Sequence, residues 1–197
     1  MQATGTAICT PSNWMEPLDW YEVFGNERRI EVDIGCGKGG FLLCSAQLYP
    51  ESNFLGVDRL LRRLRKVDKR IQRLGLQNVR LLRVEASYLV GYLVPRVSIS
   101  AYHIYFPDPW PKRRHQQRRL MSGSFLSVLH RTLHDGGVIN CATDHEEYFQ
   151  WIQEEFARTA NFIETKPEIL REESRTDFER EFLAVGKPVY RCRWVKG

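Results

Sequence analysis

The feature that most constrains the fold is a strand-like segment that passes through a glycine-rich turn directly into a helix-like segment. Residues 28–35, RRIEVDIG, have the apolar character of a buried strand and end in glycine. Residues 39–50, GGFLLCSAQLYP, follow as a helix-like run that stops at a proline, which cannot continue a helix. A strand joined to a helix by so short a turn is typical of a βαβ unit, and this favours a parallel sheet.

The same alternation continues along the chain. Residues 59–74 repeat apolar side chains at a 3.6-residue period and are predicted to form an amphipathic helix that ends at Gly75. A later helix is predicted to begin with Asp144 as its N-cap. The remaining predicted elements are helices over 116–134 and 144–159 and strands over 53–58, 78–86, 98–106, 137–143 and 188–195.

This pattern predicts an α/β fold with a doubly wound, mostly parallel sheet. The chain contains no internal repeat, low-complexity tract or linker-like segment, so we expect a single domain over residues 1–197. Residues 1–17 are expected to be a poorly ordered N-terminal segment.

The positive charge of the chain is concentrated in two segments. The net charge is +5, and residues 59–73 and 112–119 contribute 13 of the 29 Lys and Arg residues but one of the 24 acidic residues. The rest of the chain is therefore acidic. Such clustering is typical of a nucleic-acid-binding protein, although solvated helix faces would give the same pattern.

Several protein classes do not fit the sequence. No apolar run has the length of a membrane span, and the N-terminus lacks the basic and apolar regions of a signal peptide. We therefore expect a cytoplasmic protein. The five cysteines form no C-x-x-C pair, so no metal site is predicted and the thiols are expected to be reduced.

The turn after the first strand has the spacing of a nucleotide-binding loop. Gly35, Gly37 and Gly40 satisfy the pattern G-x-G-x-x-G, which both NAD-dependent dehydrogenases and methyltransferases use. Asp33 separates the two classes, because a carboxylate attracts the sulfonium and amino groups of S-adenosylmethionine but repels a pyrophosphate. The loop therefore favours S-adenosylmethionine, and an NAD-dependent oxidoreductase remains the alternative.

Two further acidic residues stand at strand ends. Asp58 closes the second strand, where a ribose hydroxyl pair would bind, and Glu85 ends the third. Glu85 could mark the adenine edge of the same cofactor or be an ordinary surface acid.

Residues 106–119, FPDPWPKRRHQQRR, follow the fourth strand. Prolines on both sides stiffen the backbone around Asp108, and Trp110 offers a face on which a base can stack. The cations that follow can bind phosphates of a nucleic acid backbone; they are Lys112, Arg113, Arg114, Arg118 and Arg119. A proline-rich turn with a buried tryptophan is the alternative interpretation of this segment, and its place at the sheet edge favours the ligand-binding one.

Six stretches of the chain resemble, in order, the motifs of the tRNA (guanine-N7)-methyltransferases of the bacterial TrmB type. They are VDIGCGKG, GVD, VEA, FPDPWPKRRHQQRR, CATD and RTDFE. The resemblance covers residues 18 to 195. It implies a Rossmann-like, class I S-adenosylmethionine-dependent methyltransferase that methylates N7 of a guanosine in tRNA, the variable-loop guanosine being the expected target. We expect a monomer or homodimer, with no obligate partner subunit evident.

The resemblance also assigns residues. Those implied to contact the cofactor are Asp33, Gly35, Gly37, Asp58, Glu85 and Asp108, and Asp108 is also the implied catalytic residue because it lies between cofactor and guanine. Those implied to contact the tRNA substrate are Lys112, Asp144, Thr176, Asp177, Phe178 and Glu179.

This sequence departs from the family pattern at several positions. Asp33 stands where the family usually has Glu, Gln116 and Gln117 replace a histidine and a lysine, and Asp177 replaces a basic residue. These departures keep open a non-catalytic RNA-binding protein on a degenerate methyltransferase scaffold.

Overall fold

The computed structural model describes residues 5–159 and 161–197, apart from the side chain of Arg113. Within these residues eight strands form one sheet: β1 (Ile8–Cys9), β2 (Ile30–Ile34), β3 (Asn53–Val57), β4 (Val79–Leu82), β5 (Ile99–Tyr105), β6 (Leu133–Thr143), β7 (Phe162–Thr165) and β8 (Tyr190–Lys196). Their order is β1-β4-β3-β2-β5-β6-β8-β7, and β8 alone runs antiparallel to its neighbours. The predicted α/β fold with a mostly parallel sheet is confirmed.

The helices of the described residues are α1 (Trp20–Phe24), α2 (Gly40–Leu48), α3 (Leu61–Leu74), α4 (Ala86–Tyr88), α5 (Gly123–Thr132), α6 (Glu146–Arg158) and α7 (Asp177–Ala184). Shorter turns occur at Leu89–Leu93, Arg113–Arg118 and Glu172–Ser174. None of these helices combines the length and apolar character that crossing a membrane requires, and these residues bring together no His, Cys, Asp and Glu cluster able to hold a metal ion.

Helices cover both faces of the sheet. Successive side chains of a strand point to opposite faces, so each strand contributes to both cores. On β3, Phe54 packs with apolar side chains of α2 and α3, whereas Leu55 and Val57 belong to the core beneath α5 and α6. Doubly wound cores of this kind leave the carboxyl edge of the parallel strands free for a ligand.

Helix α3 is amphipathic, as the 3.6-residue period predicted. Leu64, Val67 and Ile71 are fully buried against the sheet, and Gly75 ends the helix with a φ of 64°. A glycine is favoured there because this left-handed conformation is strained for residues with a Cβ. The outer face of the helix carries cations.

The predicted helix over 116–134 is wrong at its start. Residues Arg113–Arg118 form a 3₁₀ turn, and α5 begins only after Ser122, whose hydroxyl accepts a hydrogen bond from the Phe125 N–H at 3.4 Å. The break between the two elements lies where the side chain of Arg119 turns into the protein. Helical periodicity did not reveal it, because the cause is a contact with another element.

The predicted N-cap of α6 is also wrong. His145 occupies the cap, and its Nδ1 accepts a hydrogen bond from the Tyr148 N–H at 3.3 Å. Asp144 lies one residue too early for this role, and its carboxylate lies 3.6 Å from the Lys187 ammonium instead.

Elements that the sequence pattern did not predict lie near both ends of the chain. Strand β1 falls within the predicted poorly ordered segment 1–17, of which residues 1–4 lie outside the described part. It pairs with β4, and the preceding Ala7 N–H donates a hydrogen bond to Asp68 on α3 at 2.6 Å. Strand β7 and helix α7 were not predicted either, because their apolar pattern is weak.

Candidate active site

A cleft of about 840 Å³ opens at the carboxyl ends of the parallel strands. It lies between the neighbouring strands β2 and β5, where the strand order reverses: the chain continues from β2 to β3 on one side and from β5 to β6 on the other. This is the usual ligand position in a doubly wound sheet. Four residues of the predicted cofactor site line the cleft, one after each of four adjacent strands: Gly35, Asp58, Glu85 and Asp108. The fold thus brings together residues that are 73 positions apart in the chain, from Gly35 to Asp108.

The glycine loop after β2 forms one wall. The N–H groups of Gly35 and Cys36 both donate to the Val57 carbonyl, at 2.8 and 2.9 Å, so the loop is fixed to the end of β3. Gly35 has a φ of 80°, and a Cβ added there would meet no atom within 4 Å. Glycine is therefore required by the backbone conformation, and its open side leaves room for a ligand to approach the main chain.

Asp33 is a buried carboxylate without a hydrogen-bond donor among the described residues. It is 4% exposed and lines a cavity of about 30 Å³, together with Gly37, that shares Gly35, Tyr105 and Phe178 with the cleft. Burial raises the pKa of the Asp33 carboxyl to about 7, and nearby His103 on β5 opposes the increase. A buried carboxylate with unused acceptors fits a ligand that brings a cation or N–H donors.

The raised pKa of Asp33 predicts how the stability of the ligand-free protein depends on pH. The folded state binds the Asp33 proton more tightly than an unfolded chain with a pKa near 3.8, so this proton adds to the unfolding free energy. This stabilisation is fully present below about pH 4. It is lost as the pH rises to about 7. We expect the difference in unfolding free energy between Asp33→Asn and the parent protein to change across this window, as measured by urea denaturation. A pH-independent difference would contradict the assignment.

Asp58 and Glu85 also have local structural roles. One Asp58 oxygen accepts from the Leu60 N–H at 2.7 Å, and the other lies 3.4 Å from Arg63 on α3. Glu85 caps α4 by accepting from the Tyr88 N–H at 3.0 Å. A carboxylate offers about four acceptor sites, so both retain capacity for a ligand hydroxyl or N–H.

Asp108 lies exposed in the loop that follows β5. This loop is held between two bulky residues in a left-handed conformation, Phe106 with a φ of 53° and Trp110 with a φ of 43°. Such a conformation is uncommon for aromatic residues and marks a strained segment that surrounding contacts hold in place. The Phe106 N–H, for example, donates to the Ala142 carbonyl at 2.7 Å. The loop therefore presents the Asp108 carboxylate from a fixed backbone.

Arg119 has a different position from the one expected of a phosphate-binding residue. Its side chain is 1% exposed, its Nε donates to the Pro109 carbonyl at 2.9 Å, and its Nη2 lies 3.0 Å from Glu147. The guanidinium also lies over the rings of Tyr148 and Trp151, at 5.2 and 5.3 Å. Arg119 therefore fastens the Asp108 loop to α6 and is a positioning residue.

Replacing Arg119 with alanine should destabilise the protein substantially. The change removes a buried side chain and leaves the Pro109 carbonyl without its donor, which together lower the unfolding free energy by about 2–4 kcal/mol. Urea denaturation would measure this loss. Arg114→Ala is the matched control, because Arg114 is exposed, and it should change stability by less than about 0.5 kcal/mol. Equal stabilities of the two variants would contradict the positioning role.

The other predicted backbone contacts lie on the surface. Lys112, Arg114 and Arg118 are exposed, and the side chain of Arg113 lies outside the described part of the chain. Arg118 lines the cleft, and its guanidinium lies 5.1 Å from the centre of the Trp110 ring. One face of Trp110 is thus covered by a cation in this structure, which modifies the expected role of this ring as a stacking surface for a base.

Residues 176–179, the TDFE part of the RTDFE stretch, lie beside the glycine loop. Thr176, Asp177 and Phe178 line the small cavity with Asp33, and Phe178 extends into the cleft. Thr176 also caps α7 by accepting from the Glu179 N–H at 3.0 Å. Lys38 of the loop forms a 2.9 Å ion pair with Glu181 on α7, which holds the two segments together.

Two predicted substrate residues are engaged in ion pairs. Glu179 is buried and pairs with Arg191 and, at 3.6 Å, with Arg175. Asp144, at the end of β6, pairs with Lys187. In this structure Glu179 supports the position of α7, and Asp144 remains partly accessible from the carboxyl edge of the sheet.

Sequence reasoning missed a polar network beneath Asp33. His103 lies on β5, and its Nε2 is hydrogen-bonded to the Glu31 carboxylate at 3.0 Å. Its Nδ1 is hydrogen-bonded to the Tyr105 hydroxyl at 3.3 Å. Hydrogen bonding to His103 and the charge of His103 lower the pKa of Glu31 against the opposing effect of burial. The register of β2 against β5 places Asp33 opposite His103, and an alternation of polar residues in buried strands was the signal that could have revealed it.

Comparison with known proteins gives consistent similarities. Residues 27–192 match a family described as putative methyltransferase. A tRNA (guanine-N(7)-)-methyltransferase of Thermotoga maritima is 36% identical over 175 residues, which cover 88% of this chain and 56% of the relative. Another from Geobacter metallireducens is 33% identical over 191 residues, covering 94% and 90%. The chain thus spans about half the length of the first relative and nearly all of the second.

Solved structures agree on the fold. The crystal structure of the 16S rRNA methyltransferase KamB superimposes with a TM-score of 0.68 at 15% identity and covers 92% of this chain and 95% of that protein. At this identity the similarity concerns the arrangement of strands and helices alone.

Proposed function

The chain belongs to the family of tRNA (guanine-N7)-methyltransferases, and from this premise we propose that it transfers a methyl group from S-adenosylmethionine to N7 of a guanosine in tRNA. The observation that carries the proposal is the placement of Gly35, Asp58, Glu85 and Asp108 around one cleft at the ends of four adjacent strands. The resemblance in sequence favours the variable-loop guanosine as the target.

The residues of the cleft fit the cofactor. When bound, S-adenosylmethionine supplies an electrophilic methyl group on a sulfonium centre. Asp33, buried and without a donor among the described residues, would pair with its amino group, and Asp58 would accept from its ribose hydroxyls. Glu85 would bind at the adenine edge. The glycine loop leaves space for these contacts because Gly35 has an open side.

The chemistry of guanine N7 explains why the cleft needs acids. N7 carries a lone pair and no proton, so its methylation requires no general base. The guanine ring gains positive charge in the reaction, and the Asp108 carboxylate would stabilise that charge or accept hydrogen bonds from N1–H and N2–H₂. The strained loop and Arg119 keep Asp108 in place before substrate arrives, so positioning is the main contribution of the protein.

An NAD-dependent oxidoreductase is less compatible with the cleft. A dinucleotide would bring its pyrophosphate to the glycine loop, where the Asp33 carboxylate lines the adjoining cavity. The raised pKa of Asp33 shows that this site already disfavours its own negative charge, and a pyrophosphate would increase that penalty. Calorimetric titration with S-adenosylmethionine and with NADH separates the two cofactors directly.

Methylation of unmodified tRNA tests the proposal. The purified protein is incubated with radiolabelled S-adenosylmethionine and an unmodified tRNA transcript, and 7-methylguanosine is mapped by reductive cleavage. We expect label at one guanosine, and a transcript with that guanosine replaced by adenosine should take up none. Cofactor binding without any label in tRNA would instead support a non-catalytic RNA-binding protein.

Two further expectations accompany this function. A tRNA substrate is consistent with the predicted cytoplasmic location. The predicted monomer or homodimer can be distinguished by light scattering during size-exclusion chromatography.

A further inference from the structure

Helix α3 carries a row of cations on its outer face. Arg62, Lys66, Lys69 and Arg73 are all exposed, and we call these four residues the α3 strip. Their spacing of four, three and four residues keeps them within an arc of about 60° around the helix and spreads them over about 16 Å along it. The strip is therefore one continuous line of positive charge.

No described residue forms an ion pair with the strip. In the part of the chain that the structure describes, no carboxylate lies within 4.0 Å of any of its four cations. Asp68 is the single acid on α3, and its two oxygens accept hydrogen bonds from the Ala7 N–H at 2.6 Å and the Thr6 hydroxyl at 3.0 Å. The acid thus holds the N-terminal segment and forms no ion pair with the four cations.

The strip does not favour folding of the helix. Arg62 and Lys66, and again Lys69 and Arg73, are like charges four residues apart, which repel each other on a helix surface. Arg62 also lies in the first turn, where a positive charge opposes the helix dipole and where the structure has no acid. The arrangement of these charges is therefore not explained by helix stability.

The position of α3 connects the strip to the cleft. Three residues separate the helix from the end of β3, and Arg59 of this connection and Arg63 of the first helical turn line the cleft wall on the β3 side. Arg118, from the basic run 112–119, lines the same cleft on the β5 side. Cations therefore flank the cleft on both sides, and the strip leads away from its rim along the outside of the protein.

We propose that the α3 strip binds the sugar–phosphate backbone of the tRNA substrate, as a second contact separate from the basic run 112–119. This inference rests on the proposed function, since it takes tRNA as the molecule whose guanosine enters the cleft. An RNA held by residues 112–119 on one side would continue across the opposite rim and meet α3. The cations of the strip would there displace counterions condensed on the RNA phosphates and supply affinity without sequence preference.

A charge-matched pair of variants tests the strip. The first combines Lys66→Gln, Lys69→Gln and Arg73→Gln. The control combines Arg28→Gln, Arg96→Gln and Lys166→Gln, three exposed cations outside α3, of which Arg28 and Arg96 precede β2 and β5 at the opposite edge of the sheet. Each set lowers the net charge of +5 by three, so any difference reflects position.

The binding of unmodified tRNA is measured without cofactor by filter binding over a series of salt concentrations. For the strip variant we expect the dissociation constant at about 0.1 M salt to rise about tenfold or more. The steepness with which log K of association falls against log salt should decrease by about 2–3. The control should stay within about twofold of the parent protein. Cofactor affinity and turnover at saturating tRNA should be unchanged, and the melting temperature equal or higher because repulsion is relieved.

Equal affinities and salt slopes for the two variants would overturn the proposal. It would also be overturned if the strip variant kept its tRNA affinity but lost binding to anionic lipid vesicles, since the strip would then face a membrane. Failure of the proposed function gives a different result: the parent protein would form no 7-methylguanosine, whatever the two variants do in tRNA binding.

Discussion

Replacing Asp108 with alanine is expected to lower the turnover of methyl transfer by about two to three orders of magnitude at saturating cofactor and tRNA. The reason is that the carboxylate faces the cleft from a stiff loop and would lie where the guanine ring gains positive charge. Turnover is measured by incorporation of labelled methyl groups into unmodified tRNA. Because Asp108 is exposed, the folded structure should survive the substitution.

Two companion variants make this result specific. Asp108→Asn keeps an acceptor but removes the charge, so its turnover should lie between those of Asp108→Ala and the parent protein. Glu164→Ala removes an exposed acid on β7, away from the cleft, and should leave turnover unchanged. Near-normal turnover of Asp108→Ala in a folded protein would exclude the role assigned to this carboxylate.

Replacing Asp33 with asparagine should weaken the binding of S-adenosylmethionine about a hundredfold, because it removes the charged partner of the cofactor amino group in a buried site. The same change should stabilise the cofactor-free protein, since the buried carboxylate has no donor among the described residues. Calorimetric titration measures the first effect and thermal melting the second. The opposite signs of the two effects distinguish a ligand-binding acid from a structural one.

The pH dependence of cofactor binding gives an internal control. With a pKa of about 7 for Asp33, the ionised fraction falls from about nine-tenths at pH 8 to about one-tenth at pH 6. The dissociation constant of S-adenosylmethionine should therefore rise about tenfold between these pH values in the parent protein and change little in Asp33→Asn. An affinity of the parent protein that is independent of pH would contradict cofactor binding by an Asp33 carboxylate with this pKa.

Much of the cleft could be predicted because its parts follow local rules. Gly35 was recognised from its spacing, and the acids Asp58 and Glu85 from their places at the ends of strand-like runs. In a parallel sheet all strand ends meet at one edge, so the pattern of elements alone implies that such residues lie together. The amphipathic helix α3 was predicted for the same kind of reason, since its period of 3.6 residues is a property of contiguous sequence.

Other parts of the site depended on contacts that local patterns do not encode. Arg119 was grouped with its basic neighbours, but Glu147, Tyr148 and Trp151 of α6 surround its guanidinium. Glu179, within a motif implied to contact tRNA, is buried against Arg191 of β8. Each of these side chains has a polar or charged identity that suggests a surface role, and each is placed instead by an element distant in the chain.

The sequence by itself determined the alternation of strands and helices from β2 to α6, the glycine turn, the stiff Asp108 loop and the existence of two basic segments. Periodicity, backbone conformation and charge act over a few neighbouring residues, whereas β1, β7 and α7 had too weak an apolar pattern to be predicted. The tertiary structure alone decided which cations remain free for an RNA and which are used internally, and it set the raised pKa of Asp33. These properties depend on burial and on partners brought close by the fold, such as His103 beside Asp33 and Glu147 beside Arg119. Electrostatic energies change with the local dielectric and with the nearest opposite charge, and neither quantity exists until the chain has folded.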